Sequence, residues 1–371
     1  MQKFFINPKL ILIVFCSLST AGLFSAHAAD PVIIHGVDLH NLPAANTTIS
    51  PSTSSLPPLN HATVNLSFGT GLSGNTAAQQ AFARAAARWS AVLADPVTLY
   101  ITVDYKSLDL GILGESYSTL LWGPYSEVRD LVVGGADSGT SREALLPQIP
   151  TFDQWSMYVP KGFNWSGEAA ITQANYMALG GFHLEPSDGS ITFSSNYSWD
   201  FDPTNGVDSE SFDFEGAALH EMGHILGFLS DVDFSDYFLS QNTTWDPHPM
   251  PLDFFRFDNS DLGAENFNFT TSPRMLAPGP AGSQSLYVGD GSIPMSTGYF
   301  YGDGSQASHW QDNMSLGVMD PTAAPGEVLN ISSNDLIAMD LIGWNVVPEP
   351  STIVLLIMAG MTFTLVSVRR R

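Results

Sequence analysis

Residues 220–231 read HEMGHILGFLSD. On an α-helix, positions i and i+4 share a face, so His220 and His224 can point at one ion while Glu221 stands beside it. With nine His in 371 residues, random order would give HExxH about 0.006 times, so the pattern carries information. The other residues of the stretch around it, Ala217, Ala218, Leu219, Ile225 and Leu226, are apolar, and burying three polar groups among them is costly unless they have a partner. The spacing therefore predicts a zinc-binding helix with Glu221 as general base. An open catalytic zinc site needs three protein donors, and this helix supplies two.

Gly227 lets the chain turn away after the helix, so the third donor must come from elsewhere. Ser230 is a poor zinc donor. Asp231 and Asp233 are near and of a suitable type, although carboxylates just after a helix are ordinarily solvated or capping. His248 sits in the proline-stiffened DPHP at 246–249. His309 lies in GDGSQASHWQDNMSLGVMDP (302–321), shortly before Met319 in GVMDP, which has the composition of a tight turn. A methionine carried on such a turn can lie under a metal site.

HEMGHILGF, a long insertion, then Ser308-His309-Trp310 and Gly317-Val318-Met319-Asp320 together resemble the leishmanolysin-like branch of the metzincin zinc proteases. The closing NDLIAMDLIGW at 334–344 is similar to the C-terminal helix of secreted metzincins. The resemblance implies one catalytic zinc on His220, His224 and His309, with Glu221 as base, Gly227 as the turn and Met319 as the Met-turn residue. Asp233 is the rival third ligand. Ser230 stands where the shorter metzincin pattern has its third histidine, which removes only that local ligand.

Outward from this helix, the resemblance implies an α+β fold, a metzincin-like catalytic domain at 62–346 with a twisted mixed sheet packed against helices, and the periodicity of the chain suggests its elements. Residues 62–68 alternate as a strand, 76–94 place Ala78, Phe82, Ala85, Ala86, Trp89 and Leu93 on one helical face, and 97–105 read as a second strand. Strand, helix, strand at this spacing suggests a right-handed parallel crossover. Further expectations are a short helix within 117–133, a helix at 167–179, a strand at 190–198, the HExxH helix from about 215 to 226 capped by Ser211 or Asp213, and a last helix at 332–342. Residues 234–308, rich in proline and glycine, read as an irregular insertion before the Met-turn. The strand at 190–198 precedes the HExxH helix as the substrate-pairing edge strand does in metzincins, which implies a protein or peptide substrate bound by strand addition.

The ends read as addresses. Lys3 and Lys9, an apolar run at 10–24 and Ala26-His27-Ala28 predict a secretory signal peptide over 1–28. A leader rich in Pro, Ser, Thr and Asn fills 29–61, and its His35, His40 and His61 are candidates for keeping the enzyme latent. From 347 the chain reads VPEPSTIVLLIMAGMTFTLVSVRRR. The apolar segment 353–368 would reach roughly 24 Å as a helix, with the three arginines held on the cytoplasmic side. This tail closely resembles the PEP-CTERM sorting signal of Gram-negative bacteria. That implies transient insertion in the inner membrane, cleavage by exosortase-type machinery, and release to the cell surface or an extracellular matrix.

The sole cysteine, Cys16, lies in the signal, so no disulfide is expected in the mature chain. The whole chain carries 13 Lys+Arg against 37 Asp+Glu. Five of those cations sit in the two ends, and the mature part has a net charge of about −28, which argues against nucleic acid as a partner. The acidity leaves room for Ca2+ near the Asp-Gly turns at 290 and 303. Two rival readings keep the same motifs: a catalytically silent surface or matrix binding protein, and a zinc hydrolase acting on something other than protein.

Overall fold

The structure is a computed structural model that describes residues 61–135 and 142–347, together with the backbone of a strand at 13–20. The expected sorting tail beyond 347 and most of the expected signal peptide and leader lie outside the described residues. Among the described residues no helix is long and apolar enough to cross a membrane.

In chain order the first part comprises β1 (Ile13–Thr20), β2 (Thr63–Phe68), α1 (Thr76–Val92), β3 (Thr98–Lys106), β4 (Ile112–Pro124), α2 (Tyr125–Gly134), β5 (Glu168–Thr172), α3 (Gln173–Ala178), β6 (Gly189–Ser194) and α4 (Phe214–Leu226). The Asn75 side chain caps α1 by accepting from Ala78 N at 3.1 Å, and Ala78, Phe82, Ala85, Ala86 and Trp89 form its buried stripe. That stripe packs on the sheet, so β2 and β3 lie parallel, from Thr63 opposite Thr98 to Phe68 opposite Val103. β3 continues parallel to β6, from Ile101 opposite Gly189 to Lys106 opposite Ser194.

β4 reverses the direction. It pairs antiparallel with β6, from Gly114 opposite Phe193 to Ser118 opposite Gly189, and its last residues pair antiparallel with β5. Along the other edge of β4 runs β1, antiparallel, which also pairs in parallel with a short strand at Thr322–Ala323. The result is a mixed sheet in an α+β fold.

Three expectations change here. Residues 117–133 were expected to hold only a short helix, but the first half of that span belongs to β4 and α2 begins at Tyr125. β4 is buried on both faces over much of its length, so it shows no polar-apolar alternation. Residues 167–179 split into β5 and α3, with Thr172 capping α3 by accepting from Asn175 N at 3.1 Å. The alanines of β5 favour helix locally, and pairing with β4 overrides them. The strand expected to form the peptide-binding edge, β6, lies inside the sheet between β3 and β4, and β4 in turn lies between β6 and β1.

The stretch 234–308 is more regular than its composition suggests. It begins within α5 (Val232–Ser240) and contains an antiparallel sheet of β7 (Arg256–Asp258), β8 (Gln284–Tyr287) and β9 (Ser292–Pro294). Phe254, Phe255, Phe257, Phe269 and Leu286 fill its core. They surround the buried Arg274 guanidinium, which lies 4.4 Å from the Phe257 ring centroid and 4.7 Å from that of Phe269. Strands of three or four residues are too short to display a period in sequence. The last helix, α6 (Ser333–Ile342), is capped by Ser332, whose hydroxyl accepts from Asn334 N and Asp335 N.

Candidate metal centre

Asp213, not Ser211, caps α4, accepting from Gly216 N at 2.9 Å. Gly227 ends the helix with φ +120°, a conformation that side chains disfavour. Every residue of α4 is buried. Two indoles hold it in place: Trp89 Nε1 donates to Leu219 O at 2.9 Å, and Trp344 Nε1 donates to Leu226 O at 2.8 Å.

On this fixed helix His220 and His224 share one face, and His309 comes to meet them. The three Nε2 atoms stand 3.1, 3.1 and 3.2 Å apart, and none of the three residues has exposed surface. Each ring turns its other nitrogen to a main-chain carbonyl: His220 Nδ1 to Val318 O at 2.8 Å, His224 Nδ1 to Phe228 O at 2.9 Å, and His309 Nδ1 to Gln306 O at 3.0 Å. A carbonyl only accepts, so each Nδ1 carries the proton and each neutral ring presents a bare Nε2 lone pair to the other two.

Three acceptors facing one another repel unless a cation lies among them. Three donors at about 2.0–2.1 Å from a tetrahedral zinc stand about 3.3 Å apart, close to the observed triangle. The backbone carbonyls are the orienting partners that metal-bound histidines ordinarily have. The residues present therefore fit a zinc ion. Burial lowers the His220 pKa to about 4 from its ordinary value of 6.5, against the pull of the Val318 bond. Burial and then the neighbouring rings push His224 and His309 well below that ordinary value. The neutral, donating form thus persists far into acid.

Glu221 is fully buried beside the triad, and its Oε2 accepts from the Ser116 hydroxyl of β4 at 2.6 Å. Met319 lies against α4 between the two helix histidines: a Cβ added at Gly223 would collide with its sulfur. Asp335 of α6 holds the Met319 turn in place, accepting from Val318 N at 2.8 Å, Met319 N at 3.3 Å and Trp310 Nε1 at 2.8 Å.

The structure brings together His220, His224 and His309, with Glu221 and Met319 beside them. It does not bring Asp233, Asp231 or His248 to them. Asp233 is turned to Ala307 and Ser308, Asp231 accepts from Trp245 Nε1, and His248 faces Glu168 at 3.5 Å. Ser230 donates its N–H to Ser308 Oγ at 2.9 Å, so the position of the shorter pattern's ligand braces the neighbour of His309. The calcium expectation finds no support: among the described residues the histidine triad is the one converging group of three donors, and Asp303 instead accepts from Thr297 N and Ser305 N of its own loop. His61 bonds Leu93 O at 3.3 Å; His35 and His40 lie outside the described residues.

Sequence reasoning missed the roles of Ser116, Asp335 and Ser308. Ser116 carried no signal, being one serine in a strand with no pattern. Asp335 was visible as the third residue of a capped helix, but its reach to the turn at 318 is a tertiary fact. Comparison of the chain with protein-family models, with curated proteins and with solved structures gives no match in any of the three.

Proposed function

We propose that the chain is a zinc-dependent endopeptidase of metzincin type, close in layout to the leishmanolysin-like branch. The observation that carries this reading is the convergence of three buried, carbonyl-oriented Nε2 lone pairs next to a buried glutamate. His220, His224 and His309 would hold the zinc. When bound, the ion supplies Lewis acidity toward a peptide carbonyl and makes a water more acidic.

The chain's own residues do the rest. Glu221, one position after the ligand His220, takes a proton from the attacking water and passes it to the leaving amine nitrogen. Ser116 fixes the carboxylate's orientation through its hydrogen bond. Met319 and the buried indoles keep α4 rigid under the reacting groups.

The substrate is best placed along β4, whose outer edge is paired with β1 in the described chain. Removal of residues 1–28, expected of a secretory leader, would take β1 away and leave the main-chain groups of β4 to an extended peptide. Export and sorting through the PEP-CTERM-like tail belong to the same proposal, with the acidic mature domain acting outside the cell.

The test is casein cleavage by the purified, zinc-loaded protein and its Glu221→Ala variant at equal zinc content. Cleavage lost in the variant with zinc retained supports the mechanism. Cleavage surviving in the variant overturns the role of Glu221, and zinc without cleavage in the wild type points to the silent binding protein.

A further inference from the structure

His309 lies 85 residues beyond His224, and a distant ligand needs something to set its position. The strap that carries it is fastened at one peptide on each side of Ala307. Asp233, in the first turn of α5, accepts from Ala307 N at 2.5 Å, from Ser308 N at 3.0 Å and from the Ser308 hydroxyl. The Arg256 guanidinium donates to Ala307 O and to Ser296 O, the latter at 3.0 Å.

These groups are tied back to the helix that carries the other ligands. Ser230 N donates to Ser308 Oγ at 2.9 Å, and Ser230 Oγ donates to Asp253 Oδ1 at 2.6 Å. Asp253 Oδ2 accepts from Asp231 N at 2.9 Å and from Met250 N at 3.0 Å, and its other oxygen lies 3.7 Å from Arg256 Nε. Asp253 and Arg256 are fully buried and Asp233 is half-buried beside them, where hydrogen bonds to ionised groups are strong and breaking one leaves a charge or a donor stranded.

We infer that Asp233 is a positioning residue for the metal centre: with Arg256 it clamps the strap at Ala307–Ser308 and so delivers His309 Nε2 to His220 and His224. It rests on the reading of the triad as a metal site. The residue that sequence offered as a rival ligand thus serves the ligand that sequence favoured. An acceptor of three hydrogen bonds has to be a carboxylate, because the amide of an asparagine would turn a donor toward the strap's own N–H groups.

The experiment uses the full chain as it is exported and measures Zn2+ affinity by chelator competition and the visible spectrum of the Co2+-substituted protein. The variants are Asp233→Asn, Ser308→Ala and, as a control one turn further along α5, Asp236→Asn. Asp236 instead accepts from Phe300 N at 2.7 Å and Tyr301 N at 2.9 Å. Asp233→Asn is expected to weaken zinc about 10- to 100-fold and to diminish the tetrahedral Co2+ bands, as loss of an orienting partner does. Ser308→Ala, which keeps the main-chain bonds, is expected to weaken zinc severalfold, and Asp236→Asn to leave affinity and spectrum as in the wild type.

If Asp233→Asn does not fold, Ser308→Ala decides. Wild-type affinity and an unchanged Co2+ spectrum in a folded Asp233→Asn, or in Ser308→Ala, overturn the inference while leaving the metal centre standing. Equal weakening by Asp236→Asn overturns it too, since the effect would then be general loosening. A wild-type protein that takes up neither metal removes the proposed function itself.

Discussion

The Ser116 hydroxyl donates a 2.6 Å hydrogen bond to Oε2 of Glu221, across the contact between β4 and α4. The two residues are 105 positions apart, and both are buried. The bond ties the candidate base to the strand along which we place the substrate. Ser116→Ala is expected to lower turnover roughly tenfold or more, the worth of one hydrogen bond to a charged group, while zinc content stays at the wild-type level. Steady-state kinetics with parallel metal analysis checks this.

Acid should act on the metal centre late. His220 titrates near pH 4 in the fold, below its ordinary 6.5, so the neutral ring that donates to metal survives down to about that pH. Zinc retained after dialysis is therefore expected to be near complete at pH 6 and to fall as pH approaches 4. The metal-free protein carries the linked stability effect. A histidine kept neutral contributes stability that is full above pH 6.5, the unfolded value, and is lost as pH drops toward the folded value near 4. Thermal melts of the metal-free chain between pH 7 and 4 measure that decline.

Met319 and Gly223 test the packing beneath the triad. Met319→Ala is expected to cost about 2–5 kcal/mol for the cavity it leaves, whereas Met319→Leu, of similar volume, should cost less than about 1.5 kcal/mol. Gly223→Ala is expected to destabilise as well, because its new methyl group meets the Met319 sulfur. Denaturant melts of the three variants rank them.

Asp335 carries a larger share of the same region. Its carboxylate serves Val318, Met319 and Trp310, and also Ser332 N at 2.7 Å. Asp335→Ala strands several buried donors at about 1–3 kcal/mol each, so a loss on the order of 3 kcal/mol or more is expected, along with weaker zinc binding. Unfolding curves with and without zinc separate the two effects.

Much of this was legible because it is local. HExxH on a helix, the Asp213 cap, the alanine-rich stripe of α1 and the glycine after Leu226 all announce themselves within a turn or two of sequence. His309 was reached differently, through its spacing from the Gly317–Asp320 turn and the family that this spacing resembles. What stayed hidden depends on pairing across the fold. β4 has no alternation because it is covered on both faces, and β5 looks helical until β4 is beside it. Asp233 stood as the rival third ligand because its chemistry and nearness suited one; nothing local says that its two oxygens are engaged by Ala307 and Ser308.

The most direct measurement is the zinc content per chain of the purified protein and of its His309→Ala variant, by elemental analysis after dialysis against metal-free buffer. If His309 completes the site with His220 and His224, the wild type holds one zinc per chain and the variant holds far less. One zinc retained in His309→Ala, or none in the wild type, would contradict the three-histidine centre.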